Sequence, residues 1–165
     1  VVLGARATAS SALAALGELD IVTSTVAARR FGGPGSVVAA SSRLGISIEQ
    51  VLWSDRGAVL RAVSGADLVI STLPAGVADS LAEEMTVREG QVLLDVVYSP
   101  RETALRSAFE RNGGIVAEGT DMLIFQAAAQ VQLMTGRSPK TDVMRGALEA
   151  ELARRARPSG GGAAS

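Results

Sequence analysis

The chain alternates short apolar runs with longer stretches in which apolar residues recur at the spacing of a helix. The short runs predict strands over 1–4, 20–25, 48–54, 66–72, 91–98 and 115–117. The longer stretches predict helices over 8–19, after Ser36, and over 56–64, 102–112, 121–135 and 142–155. Because the strands are apolar on both faces and helices separate them, we expect an α/β fold. The predicted architecture is a Rossmann-like, doubly wound parallel sheet of about six strands with C-terminal helices.

The length of 165 residues favours one domain, which we place at 1–153. Residues 154–165 are rich in Arg, Pro, Gly and Ser and predict a disordered tail. The first residues, 1–4, already have the pattern of a buried strand and include no initiator Met. We therefore expect a preceding portion that this chain lacks, and with no signal peptide or membrane-length apolar run we expect a cytoplasmic protein.

Composition excludes several kinds of chemistry. The chain has no Cys and no His, which excludes disulfides, thiolate catalysis, Cys- or His-bound zinc, a serine triad and a His base. We predict no metal site. The net charge of −1 and the scarcity of aromatic residues favour neither nucleic acid nor an anionic membrane as a partner. The single lysine, Lys140, is expected to be a solvated loop residue.

The first predicted strand-to-helix turn is a candidate phosphate-binding loop. Gly4 ends the strand, and the helix that begins near Thr8 offers free N–H groups and a partial positive charge to a pyrophosphate. Arg6 stands where such loops have their second glycine, so the motif alone is weak. The alternative is an ordinary strand–turn–helix without a ligand.

The second predicted strand, 21–25, has no acidic residue at its end to bind the ribose hydroxyls of NAD. Arg29 and Arg30 follow closely. This arrangement suits the 2′-phosphate of NADP. The alternative is that both arginines are solvated at a helix start.

Several motifs in the same order resemble the shikimate dehydrogenase family. The stretch 95–105, Asp-Val-Val-Tyr-Ser-Pro followed by Glu-Thr and Leu, is similar to the family's D-V-V-Y-N-P-x-x-T-x-L. Residues 119–128 are similar to its G-x-G-M-L-x-x-Q-A-A, and 135–144 to its T-G-x-x-P-x-x-x-x-M. Upstream, 66–76 resembles A-D-L-V-(I/V)-N-(A/T)-T-P-x-G, and 2–9 resembles V-L-G-A-G-G-T-A. The resemblance runs from residue 1 to about 148.

The resemblance implies an enzyme of aromatic amino-acid (chorismate) biosynthesis that reduces 3-dehydroshikimate to shikimate with NADPH. The implied partners are this small-molecule substrate and a second copy in a homodimer. The family's catalytic Lys and Asp lie in an N-terminal substrate domain that nothing here matches. We therefore expect no catalytic residue in this chain and no activity from the chain alone.

The resemblance also implies a role for each matching residue, one group at a time. Gly4, Ala5 and Thr8 line the phosphates of the cofactor, and Arg29 or Arg30 holds its 2′-phosphate. Thr72, Leu73 and Pro74 lie under the adenosine side, Val96 lies against the nicotinamide, Gly119 places a carbonyl near the nicotinamide amide, and Tyr98 and Gln126 face the substrate.

The chain departs from the family pattern at several positions. Arg6 and Ala7 replace two glycines, Ser71 replaces an Asn, and Asp121 replaces the second glycine of G-x-G-M-L. The family's N-R-T after the second strand is not matched by residues 24–26. Two alternatives follow: an NAD-dependent quinate/shikimate dehydrogenase, and a non-catalytic nucleotide-binding module with a degenerate glycine loop.

Overall fold

Six strands and seven helices alternate along residues 1–156, the part of the chain that the computed structural model describes. The strands are β1 (Val2–Leu3), β2 (Thr23–Ala28), β3 (Ser47–Leu52), β4 (Leu68–Ser71), β5 (Val92–Asp95) and β6 (Ile115–Glu118). The helices are α1 (Ala7–Glu18), α2 (Val37–Leu44), α3 (Arg56–Gly65), α4 (Asp79–Glu84), α5 (Ala104–Arg111), α6 (Gly119–Thr135) and α7 (Thr141–Ala156).

All six strands form one parallel sheet in the order β3-β2-β1-β4-β5-β6. The chain builds outward from β1 to β3, then returns to the other side of β1 and continues to β6. This confirms the predicted doubly wound sheet. The order reverses between β1 and β4, and in such sheets ligands bind outside the carboxyl ends of the strands at this reversal.

Two hydrophobic clusters form because successive strand residues point to opposite faces of the sheet. Leu3 and Ala27 belong to a cluster completed by α3, α4 and α5. Their neighbours Val2 and Val26 belong to a second cluster completed by α1 and α2. The burial of both faces explains why the inner strands β1, β4 and β5 are mostly apolar, whereas the edge strand β3 carries the exposed Glu49 and Gln50.

The second strand lies three residues later than the sequence predicts. The prediction placed it at 20–25, whereas β2 runs over Thr23–Ala28. Ile21 and Val22 are 40% and 60% exposed, while Ala27 is fully buried. The β-branched pair favoured the wrong register, because alanine is a weak strand former that nevertheless packs well between two covered faces.

The fifth strand ends earlier than predicted, at Asp95 instead of Tyr98. The carboxylate of Asp95 accepts hydrogen bonds from the Val97 N–H at 3.3 Å and the Thr103 hydroxyl at 2.7 Å. These local bonds take the place of the next ladder bonds and turn the chain out of the sheet.

The short helix α4 was not predicted from the sequence. It has six residues and follows a stretch that contains Pro74 and Gly76. Its buried Leu81 and Ala82 pack into the cluster that covers one face of the sheet. Tertiary packing therefore stabilises a helix too short to be stable alone.

The chain divides into two compact units, Val1–Gly119 and the part from Thr120 onward, which contains most of α6 and all of α7. The single domain predicted for 1–153 stays a prediction. Lys140 is exposed in the connection between α6 and α7, as expected. None of the helices in the described part of the chain has the length and apolar character needed to cross a membrane.

The C-terminal helix α7 extends to Ala156. The residues 154–156, expected as the start of a disordered tail, are therefore helical, and the rest of that prediction, 157–165, lies outside the described residues. Glu151 accepts hydrogen bonds from the Arg154 and Arg155 guanidinium groups, which stabilise the last turn. These bonds lower the pKa of Glu151 to about 2.

Candidate functional site

A pocket opens at the carboxyl ends of β2, β1 and β4, and we call it the arginine pocket. It lies at the reversal of strand order. Seven residues that the sequence assigned to cofactor binding line it: Gly4, Ala5, Arg29, Arg30, Thr72, Leu73 and Pro74. Four further residues line it as well: Arg6, Ala28, Trp53 and Val77. The predicted cofactor residues of the first four strands thus converge, with the exception of Thr8.

Gly4 is clamped between the tips of the two neighbouring strands. Its N–H donates to the Ala27 carbonyl at 2.8 Å, and the Thr72 N–H and hydroxyl both donate to the Leu3 carbonyl at 2.8 Å. Its φ is +109°, and a Cβ at this position would lie 2.2 Å from Thr72 Oγ1. The position therefore requires glycine, which brings bare backbone to the wall of the pocket.

The N-terminus of α1 faces the same strand tips without a capping side chain. Arg6 is the N-cap residue in extended conformation, and no acidic residue lies in the first turn. The first N–H groups of the helix therefore remain available to an anion. Thr8 is exposed in this turn and is not among the residues that line the pocket.

The charges that line the arginine pocket all have one sign. Arg6, Arg29 and Arg30 line it together with no Asp or Glu. Within residues 1–156 none of these three guanidinium groups has an ion-pair or hydrogen-bond partner. The partial positive charge of the α1 N-terminus adds to them. The pocket therefore offers unpaired donors to an anion, the arrangement expected of a phosphate site.

The corrected end of β2 changes how the two arginines are placed. The strand ends at Ala28, so Arg29 is the first residue beyond it. The motif N-R-T was sought at 24–26, but the residues at this strand end are Ala28-Arg29-Arg30, with an arginine in the middle position. The absence of an acid at the strand end holds in the corrected register.

The tip of β5 forms a second polar arrangement on the same edge of the sheet. Asp95 is 6% exposed and accepts the Thr103 hydroxyl, whose oxygen in turn accepts the Arg106 N–H at 3.1 Å and caps α5. This bond joins the first and ninth residues of the D-V-V-Y-N-P-x-x-T stretch. The spacing of that motif therefore holds the loop between β5 and α5 in place.

Val96 and Gly119 lie together at the tips of β5 and β6. A Cβ on Gly119 would lie 2.7 Å from the Val96 carbonyl oxygen and 2.8 Å from that of Asp95. The Val96 N–H donates to the carbonyl of Ser71, a residue 2% exposed at the tip of β4. Glycine at 119 therefore permits a close backbone approach, but neither Val96 nor Gly119 lines the arginine pocket.

The two residues predicted to face a substrate belong to different units. Tyr98 is 43% exposed in the loop after β5, just before the cis peptide bond between Ser99 and Pro100. Gln126 is exposed on α6, beyond the division of the chain. Their convergence on one cleft stays a prediction.

One departure from the family pattern has a local explanation in the second unit. Asp121, in place of a glycine, accepts a hydrogen bond from the Arg145 guanidinium group and so joins α6 to α7. Among the residues that the structure describes, no cluster of three or more acidic side chains is placed to hold a metal ion.

Sequence reasoning missed Trp53 and Val77 and treated Arg6 only as a departure. Trp53 is the first residue after β3, and β3 lies beside β2 in the sheet. Residues that follow parallel strands meet at one edge, but the strand predicted over 48–54 included Trp53, so the sequence did not place it at the strand end. Val77 lies in the stretch before α4, which the sequence pattern did not resolve.

Comparison with known proteins agrees with this geometry. Residues 119–149 match the model of the shikimate 5′-dehydrogenase C-terminal domain. The chain is 31% identical over 144 residues to a shikimate dehydrogenase (NADP(+)) of Oleidesulfovibrio alaskensis, an alignment of 83% of this chain and 48% of the relative. It is 36% identical over 97 residues to that of Methanothermobacter thermautotrophicus, over 56% of this chain and 34% of the relative.

Solved structures give the same result. The crystal structure of Mycobacterium tuberculosis shikimate dehydrogenase superposes with a TM-score of 0.76 and 35% identity. That match covers 87% of this chain and 54% of the solved one. The chain thus spans between a third and about half of the length of these relatives.

Proposed function

We propose that this chain, which belongs to the shikimate dehydrogenase family and matches part of the length of its relatives, binds NADP at its strand tips for the reduction of 3-dehydroshikimate to shikimate. The observation that carries the proposal is the arginine pocket. It unites a glycine-tipped strand, an uncapped helix N-terminus and three guanidinium groups that have no partner within residues 1–156, at the reversal of strand order.

The residues of the pocket suit the phosphates of a dinucleotide. Gly4 and Ala5 offer close backbone, and the N–H groups at the start of α1 donate to the pyrophosphate. The side chain of Arg6 replaces the close approach that a second glycine would allow. Its guanidinium group adds a charged donor at the same place, which compensates for the lost backbone contact.

Arg29 and Arg30 are proposed to hold the 2′-phosphate that distinguishes NADP from NAD. An acidic residue at the end of β2 would repel this phosphate, and Ala28 stands there instead. Thr72, Leu73 and Pro74 form the opposite wall, on the adenosine side.

The nicotinamide end is proposed to lie at the tips of β5 and β6, against Val96 and Gly119. When bound, NADPH supplies the hydride that the ketone carbon of the substrate accepts. Tyr98 and Gln126 are proposed to hydrogen-bond the substrate hydroxyl and carboxylate groups, since a phenol and an amide both donate and accept.

Reduction of the ketone also requires a group that donates a proton to the carbonyl oxygen. We find no candidate for that catalytic group in this chain. The one lysine, Lys140, lies in the connection between α6 and α7, where it is exposed. We propose that the catalytic Lys and Asp belong to a substrate domain outside the sequence described here. The 165-residue chain should therefore bind cofactor without turnover.

Two measurements test the proposal. Isothermal titration of the chain should show binding of NADP that is tighter than binding of NAD, because only NADP carries the 2′-phosphate. The chain alone should not oxidise NADPH with 3-dehydroshikimate. If neither NADP nor NAD binds, the assignment of the pocket is contradicted. Turnover by the chain alone would contradict the assignment of the catalytic pair.

A fusion distinguishes an enzyme from a binding module. The substrate domain of the Mycobacterium tuberculosis relative, joined ahead of this chain, should restore oxidation of NADPH by 3-dehydroshikimate. A folded fusion that binds NADP but is inactive with both cofactors would favour the non-catalytic module. Activity with NADH but not with NADPH in the same assay would favour the NAD-dependent alternative, because the proposed cofactor site belongs to this chain.

A further inference from the structure

Among the described residues that line the arginine pocket, Trp53 is the one aromatic residue, and the proposed function assigns it no role. It directly follows β3, and its N–H donates to the Ala28 carbonyl at 2.9 Å. This bond holds the backbone of Trp53 against the end of β2. The indole also packs against the hydrophobic cluster that includes Leu3 and Val59, and this packing restricts its position.

The register of the sheet places Trp53 beside Arg29. Ala28 and Leu52 are the last paired residues of β2 and β3. Arg29 and Trp53 are therefore the first residues beyond the ends of these two strands. Both line the pocket together with Ala28, whose side chain is only a methyl group. A flat aromatic side chain and a guanidinium group thus flank the same space.

This pair of side chains has the chemistry of a purine site. Aromatic rings stack on nucleobases, and a guanidinium plane stacks on them or binds a nearby phosphate. Trp53 is partly buried, packs on the core and lines the arginine pocket as well.

We propose that Trp53 is the stacking platform for the adenine ring, beside the arginines that take the 2′-phosphate. The inference rests on the proposed function, because it assigns the adenine end of the same dinucleotide. It makes Trp53 a binding residue that contributes affinity for the base without contact to the reacting atoms.

The chain contains a single Trp, so its fluorescence reports on this position alone. Titration of the 165-residue chain with adenosine 2′,5′-bisphosphate should change the Trp53 emission with the same midpoint that calorimetry gives for binding. Inorganic pyrophosphate, which has no base, should bind without a comparable change.

Two variants separate stacking from packing. Trp53→Phe keeps an aromatic face and should bind adenosine 2′,5′-bisphosphate within about threefold of the parent chain by calorimetry. Trp53→Leu removes the face and should weaken binding by about tenfold, which corresponds to about 1.4 kcal/mol. Pyrophosphate should bind all three proteins equally.

The outcomes are distinct for the two proposals. Binding of NADP without any change in Trp53 emission, and with equal affinity in Trp53→Leu, would overturn the stacking role and leave the proposed function intact. Failure of the parent chain to bind NADP would overturn both. If Trp53→Leu does not fold, the comparison of the Trp53 emission change with adenosine 2′,5′-bisphosphate and with pyrophosphate decides the question.

Discussion

Charged side chains are unpaired at one end of the edge formed by the strand tips and paired at the other end, among the residues that the structure describes. In the arginine pocket, at the tips of β2, β1 and β4, three guanidinium groups have no partner in the described part of the chain. At the tips of β5 and β6, Asp95 is bonded to Thr103, and Glu118 is bonded to Arg101 and Arg106. The same edge therefore combines a region open to an anion with a region whose charges serve the protein itself.

This difference suggests that one region binds a ligand and the other holds the loop structure. Unpaired positive charges that share one pocket repel one another, and an anionic ligand relieves that repulsion. Paired groups fix local structure, as the bond between Asp95 and Thr103 fixes the loop that carries Val96 and Tyr98. We therefore expect the arginine pocket to contribute binding energy, and the tips of β5 and β6 to hold the loop between β5 and α5 in place.

The largest expected effect comes from the wall of the arginine pocket. Gly4→Ala should lower the free energy of unfolding by about 3 kcal/mol, because the methyl group would meet Thr72 Oγ1 in a strained backbone conformation. Urea unfolding measures it. Gly33→Ala is the matched control, since Gly33 has a φ of +106° but no neighbouring atom within 4 Å, and should lose about 1 kcal/mol.

A second change separates the clash from the backbone strain. Thr72→Ala removes the colliding oxygen, so the loss caused by Gly4→Ala should be smaller in the Thr72→Ala background. Equal losses for Gly4→Ala and Gly33→Ala, with no coupling to Thr72, would show that the clamp at the pocket wall is not rigid.

The next effect is on affinity. The double variant Arg29→Ala/Arg30→Ala should weaken NADP binding by about 100-fold, since hydrogen bonds to charged groups contribute about 1.5–3 kcal/mol. NAD affinity should change far less, and calorimetry with both cofactors measures the difference. Arg43→Ala, an exposed residue of α2 that does not line the pocket, is the control and should leave both affinities unchanged. A parallel loss of NAD and NADP would argue against a 2′-phosphate site.

At the other end of the edge, a change should alter stability and spare affinity for the phosphates. Thr103→Val removes the donor to the buried Asp95 carboxylate and the cap of α5, at a cost of about 2 kcal/mol. Thr103→Ser keeps the hydroxyl and should recover most of this loss in urea unfolding. A strong loss of pyrophosphate affinity in Thr103→Val would break the contrast between the two regions.

The smallest effect is expected from the exposed ion pair at this end. Arg101→Ala should change the free energy of unfolding by less than about 0.5 kcal/mol, since the Arg101 side chain is 51% exposed and Glu118 retains Arg106. Urea unfolding at low and high salt should show that even this difference shrinks as ionic strength rises. A large effect that persists in high salt would indicate that the pair is structurally essential.

The fold was predictable because the sequence expresses it locally. Apolar runs between helices are required by a sheet covered on both faces, and all six strands were recognised. The register of β2 was not, because buried alanines give a weaker strand signal than the exposed Ile21 and Val22. Residues 79–84 carry too short a pattern for a helix whose stability comes from packing.

The candidate site was predictable only where residues follow strands in known motifs. Gly4 and Thr72 each lie at the end of a short apolar run, and the pairing of β1 with β4 brings them together. Trp53 was missed because its partner in the pocket is set by the alignment of β3 with β2, which no local pattern contains. Thr8 was assigned from its match to the family motif V-L-G-A-G-G-T-A, and its side chain is exposed outside the pocket lining.

The central strand β1 has consequences for how the molecule folds and responds to ligand. Val2 pairs with Val26 on one side and with Ile70 on the other, so the pocket is assembled from segments that are distant along the chain. Such non-local pairing costs the entropy of loop closure, so the pocket exists only when these distant segments have come together. An unfolded chain therefore offers no phosphate site. A ligand that binds only the folded chain should raise its melting temperature. At a ligand concentration a hundredfold above Kd, the free energy of unfolding should increase by about 2.7 kcal/mol.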